Sequence, residues 1–230
     1  MKISAAAKSA AKSDTAAARK RRMLMTLTCT DEYESAARAA GARCIAGVDE
    51  VGRGALFGPV VAAAVILPAE MEELLAAGLK DSKQLKVEAR ERMAAMVREC
   101  ALCISIAEVD AATIDRINIY QATRLAMRLA VEQLQMQPDH LLIDAMRIEH
   151  TCAQTKIVYG DALCLSIAAA SVVAKVYRDG MMREMDAVYP VYGLAAHKGY
   201  GTAKHRKAIE EHGPCELHRK SFALLRAGRT

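Results

Sequence analysis

Four acidic residues stand where charge is expensive. Asp49 and Glu50 follow the apolar run Ile45-Ala46-Gly47-Val48 and precede a turn of Gly52-Arg53-Gly54, after which Val60 to Leu67 is apolar again. Asp144 ends Leu141-Leu142-Ile143-Asp144, and Asp161 follows Gly160 just ahead of an alanine-rich apolar stretch. Carboxylates so close to a core need cations or hydrogen-bond donors, because an unpaired buried charge costs several kcal/mol or takes up a proton. Carboxylates converging from separate elements are also the donor set that Mg²⁺ and Mn²⁺ prefer. A pair of such ions about 3.5–4 Å apart stabilises the attacking and leaving oxygens when a phosphodiester is cut.

Taken singly, each acid has a plainer role. Asp-Glu beside Gly-x-Gly also describes an exposed strand end before a glycine loop. Asp144 serves equally as a strand terminator, and Asp161 as an acidic group near a helix start. Strand geometry adds a difficulty, since adjacent side chains point to opposite faces and Asp49 and Glu50 should diverge. A local twist, or the longer glutamate arm curling round the strand, would bring them together.

The elements that must position these acids read as strands broken by helices, which argues for an α/β layer fold. Residues 31–40 predict a short helix, 45–51 and 60–67 an antiparallel strand pair, and 70–77 a helix. Residues 80–83 are a polar loop, 87–100 a helix with charge pairs, and 102–109 an alternating strand. A single helix is predicted over 117–135, with short strands at 140–144 and 156–159. Residues 165–176 are apolar almost all round and predict a buried helix.

A chain of 230 residues can bury one sizeable core. The net charge of +5 suits a polyanionic partner, while the absence of Trp argues against gripping single strands by repeated base stacking. A nucleic acid would be held by its backbone. The seven cysteines are scattered and odd in number, which fits reduced thiols and a cytoplasmic location. Cys100 and Cys103 form a lone C-x-x-C with no second pair, so packing is favoured over a metal. The longest apolar run is a strand's length, so no membrane partner is expected. Residues 1–30 read as a flexible basic arm, 31–196 as the catalytic domain, and 197–230 as a basic module.

These residues carry a family resemblance. GVDEVGRG at 47–54, KDSKQL at 80–85, LLIDA at 141–145, GDALCLSIAAASVVAKVYRD at 160–179, HKGYGT at 197–202 and GPCELHRKSF at 213–222 come in the order found in bacterial ribonuclease HII, which the chain resembles from about Ile45 to Phe222. The resemblance implies a ribonuclease H-like fold: a mixed central β-sheet flanked by helices, with a small helical C-terminal part that completes the substrate groove. It implies hydrolysis 5′ to a ribonucleotide in RNA–DNA hybrids and at single ribonucleotides in duplex DNA. The products would be a 3′-hydroxyl and a 5′-phosphate, and the role removal of ribonucleotides from DNA. The four family carboxylates fall on Asp49, Glu50, Asp144 and Asp161, which would hold Mn²⁺ or Mg²⁺.

By the same resemblance Gly52, Arg53 and Gly54 meet the ribonucleotide 2′-hydroxyl largely through backbone groups, and Tyr200 lies against the neighbouring sugar. Glycines let a main chain come close, and the 2′-hydroxyl distinguishes RNA from DNA. Tyr200 read without the family is a partly buried core tyrosine. Lys83, Lys175, Lys198 and Arg219 are candidate phosphate contacts, with Lys83 and Lys198 assigned to the substrate. Arg178 and Asp179 read as a local ion pair or cap. Residues 55–58, ALFG, depart from the proline and alanine of many relatives. A monomer is expected. The competing readings are another ribonuclease H-fold nuclease, type I-like or a resolvase, and a hybrid-binding protein that does not cut.

Overall fold

The computed structural model describes residues 22–23, 26–79 and 86–222. Most of the basic arm, the 80–85 segment with Lys83, and the last eight residues lie outside the described residues. The strands are β1 (Ile45–Val51), β2 (Val60–Ile66), β3 (Cys103–Val109), β4 (His140–Asp144) and β5 (Ala153–Ile157). The helices are α1 (Glu32–Ala39), α2 (Glu72–Ala76), α3 (Val87–Cys100), α4 (Ala111–Ile117), α5 (Ile119–Glu132), α6 (Gly160–Leu163), α7 (Leu165–Val188), α8 (Leu194–His197) and α9 (Ala203–His212).

The sheet has the order β3-β2-β1-β4-β5. β1 and β2 are antiparallel with Asp49 opposite Ala63, β2 and β3 are antiparallel, and β1–β4 and β4–β5 are parallel. This is the mixed sheet flanked by helices that the family resemblance implies. Every residue of β2 is buried, because helices cover both faces and no solvent side remains to demand polar alternation. Its side chains divide by parity. Val60, Ala62, Ala64 and Ile66 pack with Met127 and Val131 of α5, while Val61, Ala63 and Val65 pack with Ala169 and Val173 of α7. Gly47 is where strand and helix touch: a Cβ there would lie 2.1 Å from the Ser166 carbonyl carbon.

Three elements differ from the sequence reading, each for a local reason. The helix expected over 117–135 is two helices, because Asn118 takes φ +66° and its Oδ1 accepts the Tyr120 and Gln121 N–H groups at 3.0 and 3.1 Å. Asparagine tolerates that left-handed conformation and caps the second helix from it. The strand expected at 156–159 is β5, three residues earlier; it is polar because it borders β4 on one side only. The buried helix does not stop at Val176 but runs on as α7 to Val188 with a half-exposed second half.

Cys103 packs among the α5-side residues and Cys100 against the α7-side core, and burial pushes the Cys29 thiol up to about 12. Among the described residues no helix is long and apolar enough to cross a membrane.

Candidate active site

Three acids meet at the end of the parallel pair. Val48 stands beside Ile143, so Asp49 and Asp144 leave β1 and β4 side by side. Asp49, Glu50 and Asp144 each offer one carboxylate oxygen, and these oxygens all lie within 4.8 Å of one another. The divergence expected of neighbouring strand residues is overcome locally. Glu50 N–H donates to Asp49 Oδ1 at 2.8 Å, drawing that carboxylate forward along the chain toward its neighbour. Asp144 is held from outside its strand: Gly160 N–H donates to its Oδ1 at 2.8 Å. A Cβ on Gly160 would lie 2.6 Å from Ile167 Cδ1 and 3.3 Å from that same oxygen, so glycine leaves room for this close approach without displacing either side chain.

Asp161 follows directly in α6 and is buried, although it stands outside the group of three. Two like charges 4.8 Å apart repel by roughly 3 kcal/mol at an effective dielectric near 20. Arg53 Nη1, 3.8 Å from Glu50 Oε1, offsets part of this from an exposed position. Hard oxygen donors crowded against their own repulsion fit a divalent cation of the Mg²⁺ or Mn²⁺ kind, which would turn the repulsion into attraction.

The glycine-arginine-glycine turn continues directly from β1. Gly52 has φ +83°, and a Cβ on it would lie 2.2 Å from Arg178 Nε. Arg53 and Gly54 are exposed, and the loop runs beside the 197–201 segment. Ala55 bridges to Tyr200, and Leu56 N–H donates to Gly199 O at 2.8 Å. Gly54 and half-exposed Tyr200 are neighbours: a Cβ on the glycine would lie 3.9 Å from the tyrosine ring. Lys198, with φ +54°, gives its ammonium to Ala195 O and its carbonyl to Arg178.

Two arginines shape this loop from beneath, and the sequence reading underestimates both. Arg178, read as a local pair or cap, is fully buried and donates to the carbonyls of Pro59, Lys198 and Phe57 at 3.2, 2.8 and 3.0 Å. Arg219, read as a phosphate contact, is fully buried and donates to Gly58 O and Arg53 O at 2.8 and 3.0 Å. Lys175 pairs instead with Asp179 at 2.5 Å. The spacing held one signal: Ser171, Ala174, Arg178 and Met182 continue a single buried face of α7. Phe57 is fully buried with its ring edge-on to His218.

Below Phe57 lies a histidine cluster. His205 Nε2 is 3.2 Å from His218 Nε2, and the His197 and His205 rings stack at 4.3 Å. His205 Nδ1 is also 3.1 Å from the Tyr200 carbonyl. Burial, reinforced by the neighbouring imidazole, pushes His205 and His218 down to about 4. An unfolded histidine titrates near 6.5, so below that pH the unfolded chain takes up protons that the native cluster refuses. The full stability is therefore present above about pH 6.5 and is lost as pH falls toward 4. The urea midpoint should decline across that window; a flat midpoint would contradict the buried neutral pair.

Comparison with known proteins agrees with this geometry. The family model described as Ribonuclease HII matches residues 46–225. The Ribonuclease HII of Koribacter versatilis (strain Ellin345) is 56% identical over 208 residues, covering 90% of this chain and 81% of that protein. The crystal structure of ribonuclease H2 from Pyrococcus horikoshii OT3 superposes with a TM-score of 0.70 at 22% identity, covering 80% of this chain and 96% of the other. Bst-RNase HIII in complex with Mn²⁺ superposes with a TM-score of 0.64 at 23% identity, covering 83% of this chain and 70% of that one.

Proposed function

Because the chain belongs to the ribonuclease HII family, and is thus a ribonuclease H hydrolase of a family that acts on RNA–DNA hybrids, we propose that it cuts 5′ to a ribonucleotide. The substrates are hybrids and single ribonucleotides embedded in duplex DNA, the products a 3′-hydroxyl and a 5′-phosphate, and the role their removal from DNA. The observation that carries this reading is the convergence of Asp49, Glu50 and Asp144 at the foot of the Gly52-Arg53-Gly54 turn. The acids that bind phosphate-cutting cations and the backbone that can reach a ribose are thereby contiguous.

Asp49, Glu50 and Asp144, with Asp161 beside them, would hold Mn²⁺ or Mg²⁺; a solved neighbour in complex with Mn²⁺ supports the choice of ion. Bound there, such ions supply Lewis acidity to the phosphoryl oxygens and a water of lowered pKa. The N–H groups of Glu50 and Gly160 orient the Asp49 and Asp144 carboxylates toward the shared site. Gly52, Arg53 and Gly54 offer main-chain groups to the 2′-hydroxyl, most openly at exposed Gly54, and Tyr200 packs its ring on the adjacent sugar. Lys83, Lys198 and the basic residues of segment 197–230 other than buried Arg219 complete the groove along the phosphates, with the basic arm ahead of Thr30 as a salt-sensitive extension. No histidine serves as general base: the buried cluster lies beneath the loop, committed to Phe57 and to Tyr200's carbonyl.

End-labelled duplex DNA with one ribonucleotide, beside an all-DNA control, tests the reading in EDTA, Mg²⁺ or Mn²⁺. Metal-dependent cutting solely 5′ to the ribonucleotide is expected. Cutting of long hybrids alone would indicate a different ribonuclease H specificity, and binding without cutting would indicate a protein that does not hydrolyse.

A further inference from the structure

Glu34 lies outside the segment that the family model matches, yet it reaches into the core behind the carboxylates. It sits on α1 and is fully buried, a placement that acidic side chains almost never adopt without a specific partner. Its Oε1 accepts the Ser166 N–H at 2.6 Å and the Cys164 thiol at 3.2 Å. Its Oε2 is buried, with no hydrogen-bond partner among the described residues. Ser166 is in the first turn of α7, whose N-cap residue, Cys164, makes no side-chain capping bond. The distant glutamate supplies what the local sequence omits: a side-chain acceptor for a first-turn N–H of the helix.

The consequence runs to Asp161. Helix α6, which carries it, ends at Leu163, and the chain passes through extended Cys164 before α7 begins. Thr30 pins that passage from the same N-terminal segment, with Thr30 N–H donating to Leu163 O at 3.1 Å and Leu165 N–H to Thr30 O at 3.0 Å. On the other side of α6, Gly160 is bound to Asp144. Asp161 is therefore suspended between two anchors, one on the metal-site strand and one formed by residues 30–34. The seat is tight as well, because Gly47, two residues before Asp49, is pressed against Ser166.

We propose that Glu34 is a positioning residue that, by holding the first turn of α7, sets Asp161 against the other three carboxylates and so tunes metal affinity. This rests on the proposed assignment of Asp161 as a metal ligand. The N-terminal segment before the family match thus belongs to the metal site's support, and the reaction depends on it without contact to substrate.

The test is Mn²⁺ binding by titration calorimetry on the full chain, together with the Mn²⁺ concentration giving half-maximal cleavage. Glu34→Ala should weaken Mn²⁺ binding by about 10-fold or more, as loss of groups that orient metal ligands typically does. It should raise the half-maximal Mn²⁺ concentration by a similar factor, with kcat recovering at saturating metal. Glu34→Gln, which keeps an acceptor for Ser166, should return most of the affinity. Glu34→Asp retains the charge but falls short of Ser166; it should behave like alanine and carries the test if the alanine variant does not fold. In an Asp161→Asn background, Glu34→Ala should add nothing. An unchanged Mn²⁺ affinity in both Glu34→Ala and Glu34→Asp, or a full effect in the Asp161→Asn background, overturns the inference. If Asp161→Asn alone leaves affinity unchanged, the ligand assignment fails instead, and the inference with it.

Discussion

Asp49→Asn is expected to lower metal-dependent cleavage by about 10³-fold, corresponding to the several kcal/mol of transition-state charge stabilisation that a correctly held ion supplies. The replacement is nearly isosteric, and the amide oxygen can still accept Glu50 N–H, so the local turn should survive. What disappears is one of three negative charges packed within 4.8 Å. In EDTA the variant should therefore melt no lower than the native chain, because repulsion has been relieved. The rise in melting temperature on adding Mn²⁺ should shrink, since ligand-linked stabilisation tracks affinity. Single-turnover cleavage and calorimetry with and without metal read both effects. Native-like cleavage by the variant would remove Asp49 from the reaction.

Arg178→Met should carry the largest stability loss. Methionine fills much of the volume but leaves the carbonyls of Pro59, Lys198 and Phe57 without the donor they now share. Each buried carbonyl left unpaired costs about 1–3 kcal/mol, and breaking such a site typically costs about 3–5 kcal/mol in all. For a chain of this size that is a fall of roughly 10 °C in the melting midpoint. Arg178→Lys should recover little, because one ammonium cannot present the planar fork that spans both segments. Thermal unfolding checks this, and a methionine variant melting like the native chain would show that the carbonyls find other donors. Below the midpoint, cleavage should also suffer, since Gly52 and Gly199 both pack against the Arg178 side chain.

The sheet is legible in the sequence where side-chain chemistry is uniform. The runs of β1 and β2 are apolar because both faces are covered, and β4 is a short apolar run ending in an acid. Polar β5 is not legible to the residue, since pairing with β4 holds it in the sheet more than its composition does. Nor is the break at Asn118, which interrupts an otherwise continuous helical pattern through a single residue's left-handed conformation. At the site, the acids can be named from their order along the chain. The devices that orient them cannot, because backbone N–H groups such as those of Glu50 and Gly160 have no sequence signature. Buried Arg178, Arg219 and Glu34 escape for a related reason: these residue types are almost always solvated, so only the folded chain reveals that each is enclosed.

The bonds from Arg219 to Gly58 and Arg53 join residues 161 and 166 positions apart. The turn beside the first two carboxylates is thus closed by an arginine far along the sequence from it. A growing polypeptide can form the early hairpin of β1 and β2 by local pairing, but its Gly52-Arg53-Gly54 turn gains the two bonds from Arg219 only once that residue has been made. Contacts of such long sequence separation form against the largest loop-closure entropy and tend to come late. The order of synthesis therefore delays the assembly of the groove: a nascent or prematurely ended chain carries the acids without the closed loop that would present a nucleic acid to them.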